Sequence, residues 1–151
     1  KFRTMQSYLK PGSEGAEELP KQYYDTVDPF VTLGKASGVT TKLKLATGIC
    51  LVPERNPLLL AKEVATLDLI SNGRFIFGVG VGYVESEFKA LNISFKSRGK
   101  MTNDYLEAMK NAWTQDTVSH QSEFLSYSNV KISPKPIYYR SHKDMCVFSY
   151  F

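Results

Sequence analysis

Apolar and polar positions along this chain change period several times, and each change marks an element. In "PFVTLGKAS" (29–37), Phe30, Leu33 and Ser37 recur on one side at helical spacing. Asp28 suits the N-cap, and Pro29 suits the first helical position, where no backbone N–H is needed. Gly38 is the predicted stop. In "KLKLATGICLV" (42–52), Leu43 and Leu45 alternate with Lys42 and Lys44. From Ala46 onwards the residues are small or apolar on both faces, which predicts a strand covered on both sides and ended by Pro53. Asn56 and Pro57 then repeat the N-cap device, and Leu60, Val64, Leu67 and Ile70 follow at helical spacing up to Asn72-Gly73. "RFIFGVGVG" (74–82) is apolar and rich in strand formers. Strand, helix and strand with short links predict a βαβ unit and hence parallel strands. A third helix is predicted from Thr102 to about Trp113, with Tyr105, Leu106, Met109 and Trp113 inward. Residues 121–136 have room for a short hairpin, and "IYYRSHKDMCVFSYF" (137–151) has no defensible period.

The 151 residues fit one domain. Residues 1–17 read as an irregular segment, with Pro11, Gly12, Ser13 and Gly15 among polar neighbours. No apolar run approaches the roughly 20 residues that span a bilayer, and the first residues have no apolar core for a signal peptide. The net charge of +4 is spread over Lys42, Lys44, Lys96, Arg98, Lys100 and residues 131–143 instead of forming a stripe. A nucleic-acid or membrane partner is therefore not expected, and an acidic small ligand is the milder reading. The two cysteines, Cys50 and Cys146, match no metal spacing, and a cytoplasmic location is expected.

The three alternating glycines, Gly78, Gly80 and Gly82, pose the main chemical question. A dinucleotide fingerprint needs a third glycine at the sixth position, where this chain has Tyr83 or Glu85, depending on which glycine opens the count. No Gly-Lys-Ser or Gly-Lys-Thr is present for a phosphate loop. Side chains alternate along a strand, so the three glycines are expected to share one face. That face either offers bare backbone to a flat ring or makes room for large neighbours in a crowded interior.

Three stretches carry a resemblance: "ELPKQYYDTVDPFVTL" (18–33), "KLKLATGICLVPERNPLLLAKEVATLDLISNGRFIFGVGVGY" (42–83) and "EAMKNAWTQD" (107–116), with "SPKP" (133–136) as a weaker signature. Together they resemble the luciferase-like monooxygenase family, and within it the deazaflavin-dependent oxidoreductases. The resemblance covers about residues 18–137 and leaves 138–151 as a non-matching tail. It implies an α/β fold, a partial (β/α)8 TIM barrel covering roughly the second to fourth βα units, with the site at the C-terminal strand ends. It implies cofactor contacts from Thr47, Gly48, Ile49, Gly80, Val81, Gly82 and Tyr83, and no metal. It also implies a cis peptide at Gly48–Ile49 in a strand bulge, although a non-prolyl cis bond costs about 3 kcal/mol.

The implied activity is hydride transfer between coenzyme F420 and a small organic substrate. FMN-dependent monooxygenation is the alternative, and Val81, standing where flavin relatives have an arginine for the FMN phosphate, tilts the reading to F420. Thr47 is implied at the ring edge and Tyr83 at the pocket wall. Glu85 and Glu87 are read as solvated loop acids, and Lys62 and Glu63 as an exposed helical face. His120 and His142 align with no site. Family barrels run to roughly 250 residues, so the chain reads as truncated. Its partner is then a second copy or a complementing chain, and an inactive or interaction-only half-barrel is the third reading.

Overall fold

The computed structural model describes residues 25–137 and the backbone of 147–150. Helix α1 (Pro29–Val39) is capped by the Asp28 carboxylate, which accepts from the amides of Phe30 and Val31 at 2.9 and 3.1 Å. Strand β1 (Leu45–Leu51) leads through a single 3-10 turn (Val52–Glu54) to α2 (Pro57–Ile70). Asn56 caps α2 as expected, and Asn72 and Gly73 leave it in the left-handed region, with φ of 56° and 72°. Strand β2 (Phe75–Gly80) follows, then a short α3 (Glu85–Ala90) and a long α4 (Arg98–Thr114). Strands β3 (Val118–Gln121) and β4 (Ser126–Val130) pair antiparallel as a hairpin. Strand β5 (Val147–Tyr150) lies parallel to β2, so the main sheet has the order β1-β2-β5 with all strands parallel.

One core joins the sheet to the helices. Leu45, Cys50, Val52, Phe75, Phe77 and Val79 from the strand side meet Leu60, Val64 and Leu67 of α2 and Met109 and Trp113 of α4. Burying each large apolar side chain contributes about 1.5–3 kcal/mol. Several polar groups at the seams are satisfied. The Trp113 indole N–H donates to the Ala61 carbonyl at 2.8 Å, tying α4 to α2. Arg74 donates to the carbonyls of Ser71, Leu43 and Ser37 and to the Thr40 hydroxyl, so one guanidinium closes both helix ends and the entry to β1. Asp68, fully buried, accepts from the Ile137 amide at 2.6 Å. Asp104 of α4 holds the hairpin through His120 at 2.8 Å and the Ser122 hydroxyl at 2.7 Å.

Several expectations are corrected. Gly38 does not stop α1, which runs to Val39, because its φ is not in the left-handed region that ends a helix. Strand β1 begins at Leu45, leaving Leu43 59% exposed. Nor is β1 covered on both sides: Ala46, Gly48 and Ile49 are exposed, because the helices pack against one face only. Ile70 is 55% exposed, since α2 has turned away from the sheet by its last residue. Helix α4 starts at Arg98, four residues before the expected Thr102, so Arg98 and Lys100 lie in its first turn. The segment after 137, where no period was legible, contributes β5; His142 and Cys146 lie outside the described residues.

Candidate functional site

Because β1 and β2 are parallel, their C-terminal ends meet at one edge of the sheet, and the sequence-predicted residues gather there. The register pairs Thr47 with Phe77 but Cys50 with Val79, so Gly48 and Ile49 stand opposite Gly78 alone. This is a β-bulge. It reverses the parity of β1: Leu45 faces the helices before it, and Cys50 and Val52 face them after it. The bulge is expected from the resemblance; the cis bond is not found. Gly48–Ile49 is trans, and among the described residues the cis bond lies at Ser133–Pro134. Backbone dihedrals alone absorb the extra residue, and the Thr47 side chain replaces the interrupted ladder. Its hydroxyl donates to the Gly78 carbonyl at 2.9 Å and accepts from the Gly78 amide at 3.0 Å. Thr47 is only 5% exposed, so its hydroxyl serves the bulge and not the outer surface.

The bulge also explains the glycines. A Cβ on Gly78 would lie 2.3 Å from the Thr47 carbonyl oxygen and 2.8 Å from that of Gly48. A Cβ on Gly80 would lie 2.6 Å from Cγ2 of Ile49. Gly82 is beyond the strand, with φ +81°, and its Cβ would meet the Phe88 ring at 2.8 Å. The three glycines therefore do not form one bare face. They let Thr47–Ile49 and Phe88 approach the backbone closely, and the crowded-interior reading holds at these positions. The open, side-chain-free surface lies one strand over, at Gly48, where an added Cβ would meet nothing within 4 Å. Ile49, 49% exposed, and Tyr83, 71% exposed, are apolar groups at the same end. Val81 is half-buried between them in sequence.

A cleft of about 260 Å³ adjoins the bulge, lined by Thr26, Val27, Pro29, Ile49, Glu54 and Arg55 among others. Arg55 stacks 5.1 Å above the Phe30 ring and pairs with Asp28 at 3.0 Å and Glu63 at 3.4 Å. Burial works to raise the Asp28 carboxyl, but Arg55 and the capping amides outweigh it and hold it below its ordinary value. The more distant Glu63 goes the other way, raised by burial against the pull of Arg55. Burial pushes the Cys50 thiol up to about 11, so it stays protonated at neutral pH. A wider groove of about 570 Å³ between α1 and α2 is lined by Val31, Leu59, Leu67 and Ile70 and shares Asp28 and Glu63 with the Arg55 cluster.

Sequence reasoning missed four residues at this end. Glu54 and Arg55 follow β1 directly, and the "PER" after an apolar strand was their signal. Glu87 is not a solvated loop acid: it is 2% exposed, because α3 turns it inward beside Phe88. Arg98 donates from Nε to the Gly82 carbonyl at 3.1 Å. Glu85, Lys62 and Glu63 are exposed as expected. Among the described residues no group of His, Cys, Asp and Glu could hold a metal ion, and no helix is long and apolar enough to cross a membrane.

Comparison with known proteins agrees with this geometry. The sequence profile of the luciferase-like monooxygenase family matches residues 13–141. An uncharacterised protein of Mycobacterium tuberculosis is 40% identical over 124 residues, covering 82% of this chain and 44% of the relative. The FMNH2-dependent dimethylsulfone monooxygenase of Pseudomonas putida is 31% identical over 125 residues, covering 80% of this chain and 34% of the relative. The coenzyme F420-dependent tetrahydromethanopterin reductase of Methanopyrus kandleri superposes with a TM-score of 0.70 at 21% identity, over 83% of this chain and 39% of that one. The chain thus spans less than half the length of these relatives, and its α/β fold matches part of the barrel of its structural neighbours. Matched in sequence over most of its length and in the arrangement of its strands, the chain belongs to the luciferase-like monooxygenase family.

Proposed function

We propose that this chain forms the cofactor-binding part of an oxidoreductase that moves a hydride between coenzyme F420 and a small organic substrate. The observation that carries the reading is the Gly48–Ile49 bulge. It turns an open stretch of backbone and an exposed aliphatic side chain outward at the C-terminal strand ends. A flat ring system fits such a surface, which has no side chain at Gly48 to hold it off. Gly48 and Ile49 would lie against the ring, and the Gly80–Tyr83 segment would border it. When bound, the deazaflavin supplies the hydride chemistry; the protein binds it, orients it and limits water at its face. Thr47 acts indirectly by locking the bulge through Gly78. Val81 stands where, by the resemblance, flavin relatives carry an arginine for the FMN phosphate, which favours the deazaflavin over FMN.

The second reading is FMN-dependent monooxygenation, favoured by the 31% identity to an FMNH2-dependent enzyme. The test is anaerobic mixing of the chain and reduced coenzyme F420 with a panel of small ketones and aldehydes, followed by absorbance, beside an oxygen-uptake assay with reduced FMN. Carbonyl-dependent oxidation of the deazaflavin without oxygen supports the first reading, and FMN-dependent oxygen uptake with substrate turnover supports the second. Silence in both, with no binding of either cofactor, leaves an inactive or interaction-only half-barrel.

A further inference from the structure

We infer that Arg98 is a positioning residue that holds the Gly80–Tyr83 segment in the shape the cofactor face requires; the inference rests on the proposed cofactor reading. After Gly80 the backbone leaves the sheet, and Gly82 takes φ +81°. A glycine loop of this kind has many conformations open to it, so something must select one. Two contacts do so. The Phe88 ring, fully buried, packs so closely on Gly82 that a Cβ would stand 2.8 Å from Cε2 and 2.9 Å from Cζ. Arg98 Nε donates to the Gly82 carbonyl at 3.1 Å.

These contacts belong to one connected unit. Phe88 meets Phe95 edge to face, with centroids 5.4 Å apart at 77°. The Arg98 guanidinium lies 4.0 Å from the Phe95 centroid, and its Nη1 donates to the Phe95 carbonyl at 3.0 Å. The planar fork of arginine thus spans from the segment before α4 to the loop after β2, with the aromatic ring fixing its plane. Behind it α4 is anchored in the interior by Met101, Thr102, Met109 and Trp113, all buried. Arg98 therefore transmits the rigidity of α4 to the loop that carries Tyr83. A lysine here has no fork and no plane to stack, and reaches one carbonyl at a time.

The test compares the full 151-residue chain with Arg98→Met and Arg98→Lys, reading amide hydrogen exchange and dissociation constants for coenzyme F420 and FMN. Arg98→Met is expected to speed exchange at Gly82–Val84 by about tenfold and to weaken the bound cofactor by about tenfold. Amides of Phe75–Val79 in β2 keep their wild-type rates, whereas general destabilisation moves both sets together. Arg98→Lys, which retains the charge, recovers part of the affinity and guards against a variant that does not fold. Unchanged loop exchange, or cofactor affinity within about twofold of wild type in both variants, overturns the inference. If wild type binds neither cofactor, the proposed function itself fails, and loop exchange alone then decides whether Arg98 holds the segment.

Discussion

Replacing Thr47 by Val isolates what locks the bulge. Valine keeps the branched shape of threonine and removes only the hydroxyl, so packing is nearly conserved while hydrogen bonding is not. Both backbone groups of Gly78 lose their partner, the amide at 3.0 Å and the carbonyl at 2.9 Å. Gly78 is buried and Thr47 is 5% exposed, so water does not readily replace the hydroxyl. An unsatisfied buried polar group costs about 1–3 kcal/mol, which puts the pair at about 2–4 kcal/mol once the bulge relaxes. For a chain of this length a 3 kcal/mol loss lowers the melting temperature by about 6–12 °C. Trp113, the single tryptophan, is 3% exposed between α4 and α2 and reports unfolding by its fluorescence in a urea titration. Thr47→Ser is the control: it keeps the hydroxyl and loses one methyl, at about 1 kcal/mol. A Thr47→Val chain within about 0.5 kcal/mol of wild type, or equal to Thr47→Ser, refutes the bridging role.

The glycines separate by what surrounds them. Gly78→Ala drives a Cβ onto backbone oxygens at 2.3 and 2.8 Å and is expected to cost about 3 kcal/mol, with no relief from Ile49→Ala. Gly80→Ala meets the Cγ2 methyl on the branched Cβ of Ile49 at 2.6 Å, costs about 2 kcal/mol, and is partly rescued by Ile49→Ala in a double-mutant cycle. Asp28 gives a pH signature. Its folded pKa lies below the ordinary 3.8, so its contribution is complete above that value and lost as pH falls through the lower folded value. Asp28→Asn keeps the helix cap and loses the Arg55 pair, so urea midpoints below pH 4 should depend less on pH than in wild type. With the Asp28 side chain 43% exposed, solvent screening keeps the neutral-pH difference below about 1 kcal/mol.

What was legible in the sequence was local. Asp28-Pro29 and Asn56-Pro57 announce α1 and α2 because capping is settled within three residues, and both caps form as expected. Asn72-Gly73 ends α2 for the same reason, since a left-handed backbone favours those residues. Non-local features were not legible. Helix α3 has six residues and no side-chain cap; what it buries, Glu87 and Phe88, makes it, and neither position signals burial by period. Strand β5 is defined by its partner β2, about 70 residues earlier in the chain. At the strand ends the named residues lie close together, but the face was misassigned. The alternating glycines looked like a bare floor, whereas each makes room for a neighbour, and the bare backbone is at Gly48. A bulge shifts side-chain parity by one, and a strict period-two reading does not follow it past Thr47.

The most direct test of the Gly48 surface is thermal unfolding of wild type and Gly48→Val, each alone and with saturating coenzyme F420 or FMN. An added Cβ at Gly48 meets nothing within 4 Å, so the free variant should melt close to wild type. A ligand that binds only the folded state stabilises it, by about 2.7 kcal/mol at a hundredfold excess over its dissociation constant. The account predicts that one cofactor raises the wild-type transition and that Gly48→Val abolishes the rise. An equal rise in both chains, or no rise in wild type, contradicts it.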